Sequence, residues 1–453
     1  MRSRAGGRSL DLTWTPDLGR GLNLEIPYTG RVFALLLAAV AAPPPAPVFT
    51  RDIAPILYRH CSGCHHEGEV APFALVTYED AKKRARLIAD VTRTGIMPPW
   101  QAVAGYGHFA GERRLSAAEI STIQAWAAKG AREGDPARLP PAPSFNDDWQ
   151  LGTPDMVVKA PEPTEIPADG PDVYECFIVP TDLPADRYIR AVEFRPGNRQ
   201  VDHHALLFLN TSVAEHEPRY PCFGSTGVLP VRHIGVWSPG NEPIRMIDGA
   251  ALPFQRHAKL VVQVHYHPDG KPEKDRWSIG LYFTDTPPVR RVVSVIVSTH
   301  LIDIPAGEAH YVLRSHFTVP IAADVVGIIP HAHLLCREMR GWAVEPNGSK
   351  RWLLNIRDWN PNWQDQYRYV RPIRLPADTR IEMEFVYDNS AGNPRNPHSP
   401  PARVRWGPGT EDEMGSLDVQ LIPVHMEEMP DLAEAMWGAV MKSVGGRFYS
   451  LPR

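Results

Sequence analysis

Cysteine is scarce in this chain, with five in 453 residues, which excludes a fold stapled by a dense disulfide framework. Basic charge is not in excess either. Lys and Arg total 48 against 52 Asp and Glu, a formal net charge of -4, and a nucleic-acid partner, which needs a basic face, is excluded. No apolar run is long enough to span a bilayer comfortably: the longest, Arg31 to Ala42 (RVFALLLAAVAA), falls short of the roughly 20 residues a spanning helix requires. Internal repeats and low-complexity tracts are missing. What remains is an ordinary globular composition, 43% hydrophobic and 22% charged, in a chain long enough for two to four domains.

Proline, by contrast, is plentiful, at 47 residues, and much of it lies between short apolar runs, as in strands joined by loops. The apolar segment at 31–42 follows a positive residue and ends in Ala39-Val40-Ala41, a small-x-small pattern expected of a secretory signal. The preceding 30 residues carry neither helical nor strand periodicity, which sets the expectation that the natural chain starts close to Arg31. The protein is accordingly expected to be periplasmic or secreted.

Residues 48–135 read as helical. Thr77 and Asp80, and Ser116 and Glu119, have the spacing of capping boxes. Ala81, Ala85, Ile88 and Val91 fall on one helical face, and Ile120, Ile123, Trp126 and Ala127 on another. Gly95 and Gly130 are the expected stops. A Pro-rich linker is expected over 136–160. Beyond it the period changes to that of strands: 205–210, 259–267, 278–283, 289–298 and 380–388 are short and rich in β-branched and aromatic residues, separated by turns such as PDG, PNG and PGN. These imply two β-sandwich domains, 161–287 and 288–427, divided where DTPP interrupts two strand runs. Residues 428–453 form a tail with one expected helix.

Two constellations carry chemistry. The first is Cys61-Ser62-Gly63-Cys64-His65, the spacing of covalent c-type haem attachment, in which two thiols take the haem vinyls and the imidazole an axial position on iron. A zinc site is the leading alternative, but its usual second Cys/His pair does not lie nearby. Met97, after one intervening helix and followed by Pro98 and Pro99, is the candidate second axial ligand, its alternative role being core packing. The helix, haem motif, Met-Pro loop and closing helix resemble a small cytochrome c domain.

The second constellation is histidine-rich. His331 and His333 share one face of a strand and can chelate one metal, as can His265 and His267. His203 and His204 point to opposite faces of a regular strand, so joint ligation there requires a bulge or a strand end. Imidazoles combined with the thioether of Met414 favour copper. Val201-Asp202-His203-His204-Ala205-Leu206-Leu207-Phe208, Gln263-Val264-His265-Tyr266, Pro330-His331-Ala332-His333 and Asp412-Glu413-Met414 follow one another in this order. Over roughly residues 165–425 the chain thereby resembles the copper type II, ascorbate-dependent monooxygenase family, the family of peptidylglycine and dopamine monooxygenases. Trp359-Asn360-Pro361-Asn362-Trp363-Gln364 and Asp269-Gly270-Lys271-Pro272 are similar to its bacterial members.

The resemblance implies a multidomain protein: a small all-α cytochrome c domain followed by two all-β, jelly-roll-like sandwiches that hold one copper each. It places His203, His204 and His265 at an electron-transfer copper, and His331, His333 and Met414 at the copper that uses dioxygen to hydroxylate a C–H bond of a small substrate. His267 has no ligand counterpart. The cofactors implied are two copper ions and one haem c. The electron donor is ascorbate-like or a redox protein, and the haem is expected to relay electrons to the copper at His203, His204 and His265. Peptidylglycine-type members carry an Arg two residues before the His-x-His and an Asn and a Tyr after the Met; here Ile329, Ser416 and Asp418 stand at those positions, which counts against a peptidylglycine substrate. The competing readings are a non-catalytic haem and copper electron-transfer or copper-binding protein, and a haem-bearing module with degenerate copper sites. Cys176, Cys222 and Cys336 allow at most one internal disulfide.

Overall fold

The computed structural model describes residues 45–145, 149–211, 217–222, 226, 231–247, 249–285, 288, 290–407, 409 and 411–443. The expected signal segment, 31–42, lies outside the described residues. Contacts join the helical segment and the β-rich remainder into one body that starts at Ala46. Among the described residues no helix is long and apolar enough to cross a membrane.

The helical segment comprises a single π turn (Phe49–Ile53), α1 (Ala54–His60), α2 (Tyr78–Lys83), α3 (Ala85–Arg93) and α4 (Ala117–Ala128). Both expected capping boxes form: Thr77 with Asp80 opens α2, and Ser116 with Glu119 opens α4. Each satisfies two backbone donors that a helix start leaves orphaned. The stretch expected as one helix breaks at Arg84 into α2 and α3, yet the apolar stripe survives the break. Ala81, Ala85 and Ile88 are buried together with Phe49, Ile53, Leu57, Ile123 and Trp126 in a core of their own.

The chain between α3 and α4 does not stay with that core. Ala102 bridges Ile356 and Phe109 bridges Tyr369, and both Ala102 and Phe109 are buried in the core of the second β-unit. Half of what reads in sequence as a helical domain's loop is therefore a strap across a sheet.

The remainder is two antiparallel sandwiches. In the first, one sheet orders the strands Met156–Lys159, Ser278–Thr284, Arg187–Arg195 and Ile244–Arg245, with Leu252–Phe254 also pairing Arg187–Arg195. The other orders Arg219–Pro221, Val173–Pro180, Lys259–Tyr266, Asp202–Asn210 and Val231–Trp237. Their inner faces bury Phe177, Leu207, Val262, Trp277 and Leu281. The strand Met156–Lys159 begins before the boundary expected at 161; the Pro-rich linker ends sooner than its composition suggests. In the second sandwich, Val293–Ser298, Gly415–Pro423, Ala323–Ala332 and Tyr367–Leu375 face Tyr311–Val319, Thr379–Tyr387, Cys336–Val344 and Lys350–Ile356. Leu417, Val419 and Leu421 lie in its core, so by strand alternation Ser416 and Asp418 belong to the opposite face. The last helix, α5 (Met429–Ser443), buries Leu432 in the same core, so the described part of the expected tail packs on the second sandwich.

A single disulfide, Cys176 to Cys222, ties the strand Val173–Pro180 to the segment after Arg219–Pro221; Cys336 is buried and unpaired.

Candidate metal and haem sites

The first histidine cluster depends on a local break in pairing. His265 stands opposite His204, but Tyr266 stands opposite Asp202. His203 is therefore the extra residue of a bulge, and the bulge lets two consecutive side chains reach one side of the sheet. The result is a triangle of imidazole nitrogens: His203 Nδ1 lies 3.2 Å from His204 Nδ1 and 3.1 Å from His265 Nδ1, and the last two are 3.3 Å apart. Nitrogen donors about 2.0 Å from one tetrahedral metal ion stand about 3.3 Å from each other. The three nitrogens fit a metal.

Asp172, which sequence reasoning did not select, sets the tautomer. His265 Nε2 donates to Asp172 Oδ2 at 2.7 Å, so Nδ1 keeps its lone pair for the triangle. The other oxygen of Asp172 accepts from His267 Nδ1, also at 2.7 Å. His267 thereby acts through Asp172 from an exposed position and stays out of the triangle. Burial alone would raise the Asp172 carboxyl; the hydrogen bonds and charges of His265 and His267 outweigh it and hold the group at about 2. Tyr174 stacks on the His265 ring with centroids 4.2 Å apart. Burial, reinforced by the neighbouring His265, pushes the His203 imidazole down to about 4 and His204 well below its ordinary value. Neutral imidazoles at pH 7 are what a metal requires.

The second cluster lies at the end of the strand Ala323–Ala332. His331 pairs with Ser416 and Ala332 with Gly415, where the pairing ends; His333 and Met414 follow and precede it by one residue, and their backbone N–H groups share Glu413 Oε2 as acceptor. The His331 and His333 rings meet edge to face, 5.3 Å between centroids. Each has its Nδ1 engaged: His331 with Gln364 Oε1 at 2.7 Å, His333 with the Asp412 carbonyl at 3.0 Å. Both partners are acceptors, so both Nδ1 atoms carry hydrogen and both Nε2 atoms offer lone pairs. Two such imidazoles and the thioether of Met414 make a soft donor set that suits copper. Burial, with the charge of His331, brings His333 down to about 4.

Glu413, which the sequence offers only as part of the Asp412-Glu413-Met414 motif and without a role, organises this corner. It is fully buried and accepts from the backbone N–H of Leu335 (2.6 Å), His333 (3.1 Å) and Met414 (3.2 Å). Burial raises its carboxyl to about 8 against the pull of those amides. The Tyr387 hydroxyl donates to the Met414 carbonyl at 2.7 Å. His331, after burial, His265 and His203, also helps to hold His204 below its ordinary value. Between the sandwiches His233 Nδ1 lies 3.3 Å from Asp418 Oδ2.

The Cys61–His65 motif follows α1 directly. Cys61 and Cys64 are both free thiols. Burial pushes Cys61 up to about 12 and raises Cys64 as well. His65 Nδ1 donates to the Phe73 carbonyl at 3.0 Å, which leaves its Nε2 available as an axial ligand. The donor set fits covalent haem: two unpaired thiols and one oriented imidazole. Met97 is half-buried just beyond α3, where its N–H donates to the Val91 carbonyl at 3.1 Å.

No family model matches the chain, and no curated protein matches it. Among solved structures, the peptide:N-glycanase F structure aligns over 59% of this chain and 95% of that one, at 13% identity and a TM-score of 0.25. The VP2 subviral particle of infectious bursal disease virus aligns over 67% and 92%, at 13% identity and a TM-score of 0.17. Scores this low do not define a shared fold.

Proposed function

We propose that this protein is an exported copper-dependent monooxygenase with a fused c-type haem, which hydroxylates a C–H bond of a small substrate. The observation that carries the reading is the Nδ1 triangle of His203, His204 and His265, held by Asp172, in electrostatic range of a second pair of imidazoles, His331 and His333, with Met414 alongside. Copper bound at these sites would supply one-electron redox chemistry and dioxygen activation, and haem on Cys61 and Cys64 would supply stored electrons.

The chain's own residues do the rest. Asp172 and Gln364 orient one imidazole in each cluster and fix its tautomer. Glu413 and Tyr387 hold the backbone around Met414, the residue whose thioether would complete a donor set with His331 and His333. Ile329, opposite Asp418 on the face shared with His331, gives the second site an apolar neighbour and an acidic one. Free Cys61 and Cys64 together with the Cys176–Cys222 disulfide suit an exported protein, in which one pair is oxidised and the other is consumed by haem attachment.

Oxygen consumption tests this reading. The copper-loaded, reduced protein is expected to consume dioxygen in proportion to added substrate from a panel of small C–H donors, and His333→Ala is expected to abolish that uptake. Copper and haem at full occupancy, with uptake indifferent to every substrate and to His333→Ala, would leave an electron-transfer protein in place of an oxygenase.

A further inference from the structure

The haem motif is docked at the junction of the two sandwiches by contacts that the function above does not use. A Cβ placed on Gly240 would lie 2.6 Å from Cys64 Sγ. Only a glycine, here at φ +81°, lets that sulfur reach the backbone. Glu69, five residues past Cys64, pairs with Arg199 just before the His203–His204 strand. Arg113 donates to the Gly240 carbonyl at 3.2 Å and pairs with Asp365 at 2.6 Å.

From Gly240 a short path leads into the second sandwich. Ser238, two residues back, donates from Oγ to the Gln364 carbonyl at 3.1 Å, and Gln364 Oε1 accepts from His331 Nδ1 at 2.7 Å. We infer that Gly240 is an electron port, and that Ser238 and Gln364 connect the group carried on Cys64 directly to the metal held by His331. The inference rests on the haem and copper reading. It differs from the expected relay through His203, His204 and His265, which would remain the source of the second electron.

The step balances simply. A ferrous haem held on Cys64 would give up one electron and become ferric, and a cupric ion held by His331 would take it up and become cuprous, with no proton moved. An external one-electron reductant restores the ferrous state.

The test uses the full chain with haem attached and copper bound, in a variant whose first-sandwich ligands are removed by His204→Ala and His265→Ala. The haem is reduced without oxygen by a light pulse that excites an added one-electron photoreductant, which is consumed, and its re-oxidation is followed by absorbance, with copper and haem counted on the same sample. Re-oxidation close to the rate of the unaltered protein is expected, slowed severalfold by Ser238→Ala, which removes only a hydroxyl, or by Gly240→Ala, which displaces Cys64. Haem that stays reduced while the second site holds copper overturns the direct route, as does a rate indifferent to both added substitutions. A sample of the unaltered protein without copper or haem contradicts the underlying reading itself.

Discussion

Asp172 Oδ2 stands 2.7 Å from Nε2 of His265, on the side of the ring opposite its two histidine neighbours. That one carboxylate decides which nitrogen of His265 is free. Without it the ring can turn or place its proton on Nδ1, and the triangle loses a corner. Loss of such an outer partner generally weakens metal binding about 10- to 100-fold. Asp172→Ala is expected to weaken copper binding by that order at the first cluster alone. Copper titration of the variant checks this; unaltered affinity would mean that the triangle is held by packing.

The acid sensitivity of the metal-free protein follows from the buried imidazoles. His203 and His333 sit at about 4 when folded, against an ordinary value near 6.5. Between those limits the unfolded chain binds protons that the folded chain does not, so stability falls as pH falls. Each imidazole accounts for about 3 kcal/mol when fully titrated. Thermal unfolding of the metal-free protein should move steadily to lower temperature between about pH 6.5 and pH 4. His333→Gln should flatten part of that slope.

Glu413 has the opposite sign. Its folded carboxyl lies at about 8, above the unfolded value, so its contribution is complete at low pH and fades as pH rises through the folded value. Glu413→Leu leaves three backbone donors without a partner, at a cost of about 1–3 kcal/mol each. Glu413→Gln retains an acceptor oxygen and is expected to be far milder. Equal melting temperatures for the two variants would argue against the role assigned to Glu413.

The disulfide offers a fourth check. Replacing Cys176 and Cys222 together by Ala should lower unfolding free energy by about 2–4 kcal/mol. The first sandwich should carry the loss, and hydrogen exchange is expected to rise in Val173–Pro180 and Lys259–Tyr266 ahead of the strands around His331.

Much of this arrangement was legible in the sequence because it is local. Two adjacent histidines can reach one side of a sheet only through a bulge or a strand end, and His203 is the bulged residue. The capping boxes at Thr77 and Ser116 are three-residue patterns, and they form. The long β-branched runs became strands with nearly the expected ends. What escaped was non-local or lacked a pattern. Asp172 is one acidic residue in a Pro-rich loop, and only the pairing of Val173–Pro180 with Lys259–Tyr266 brings it to His265. Gln364, half-buried in a loop, and Glu413, fully buried, accept from groups distant in the chain: His331 for the first, the backbone of His333 and Leu335 for the second. The strap carrying Ala102 and Phe109 looks like a loop because its core is supplied by residues some 250 positions away. The break at Arg84 has neither Gly nor Pro to announce it. Short edge strands such as Ile244–Arg245 hold too few residues to show a period.

The most direct test of the central claim is a metal and haem count on the purified full chain, expressed with export and with haem attachment available, by elemental analysis and haem absorption. The account predicts two coppers and one covalent haem per chain, with His203→Ala and His331→Ala each removing one copper and Cys61→Ala removing covalent attachment. A chain that binds haem and no copper, or copper that survives both histidine substitutions, would contradict it.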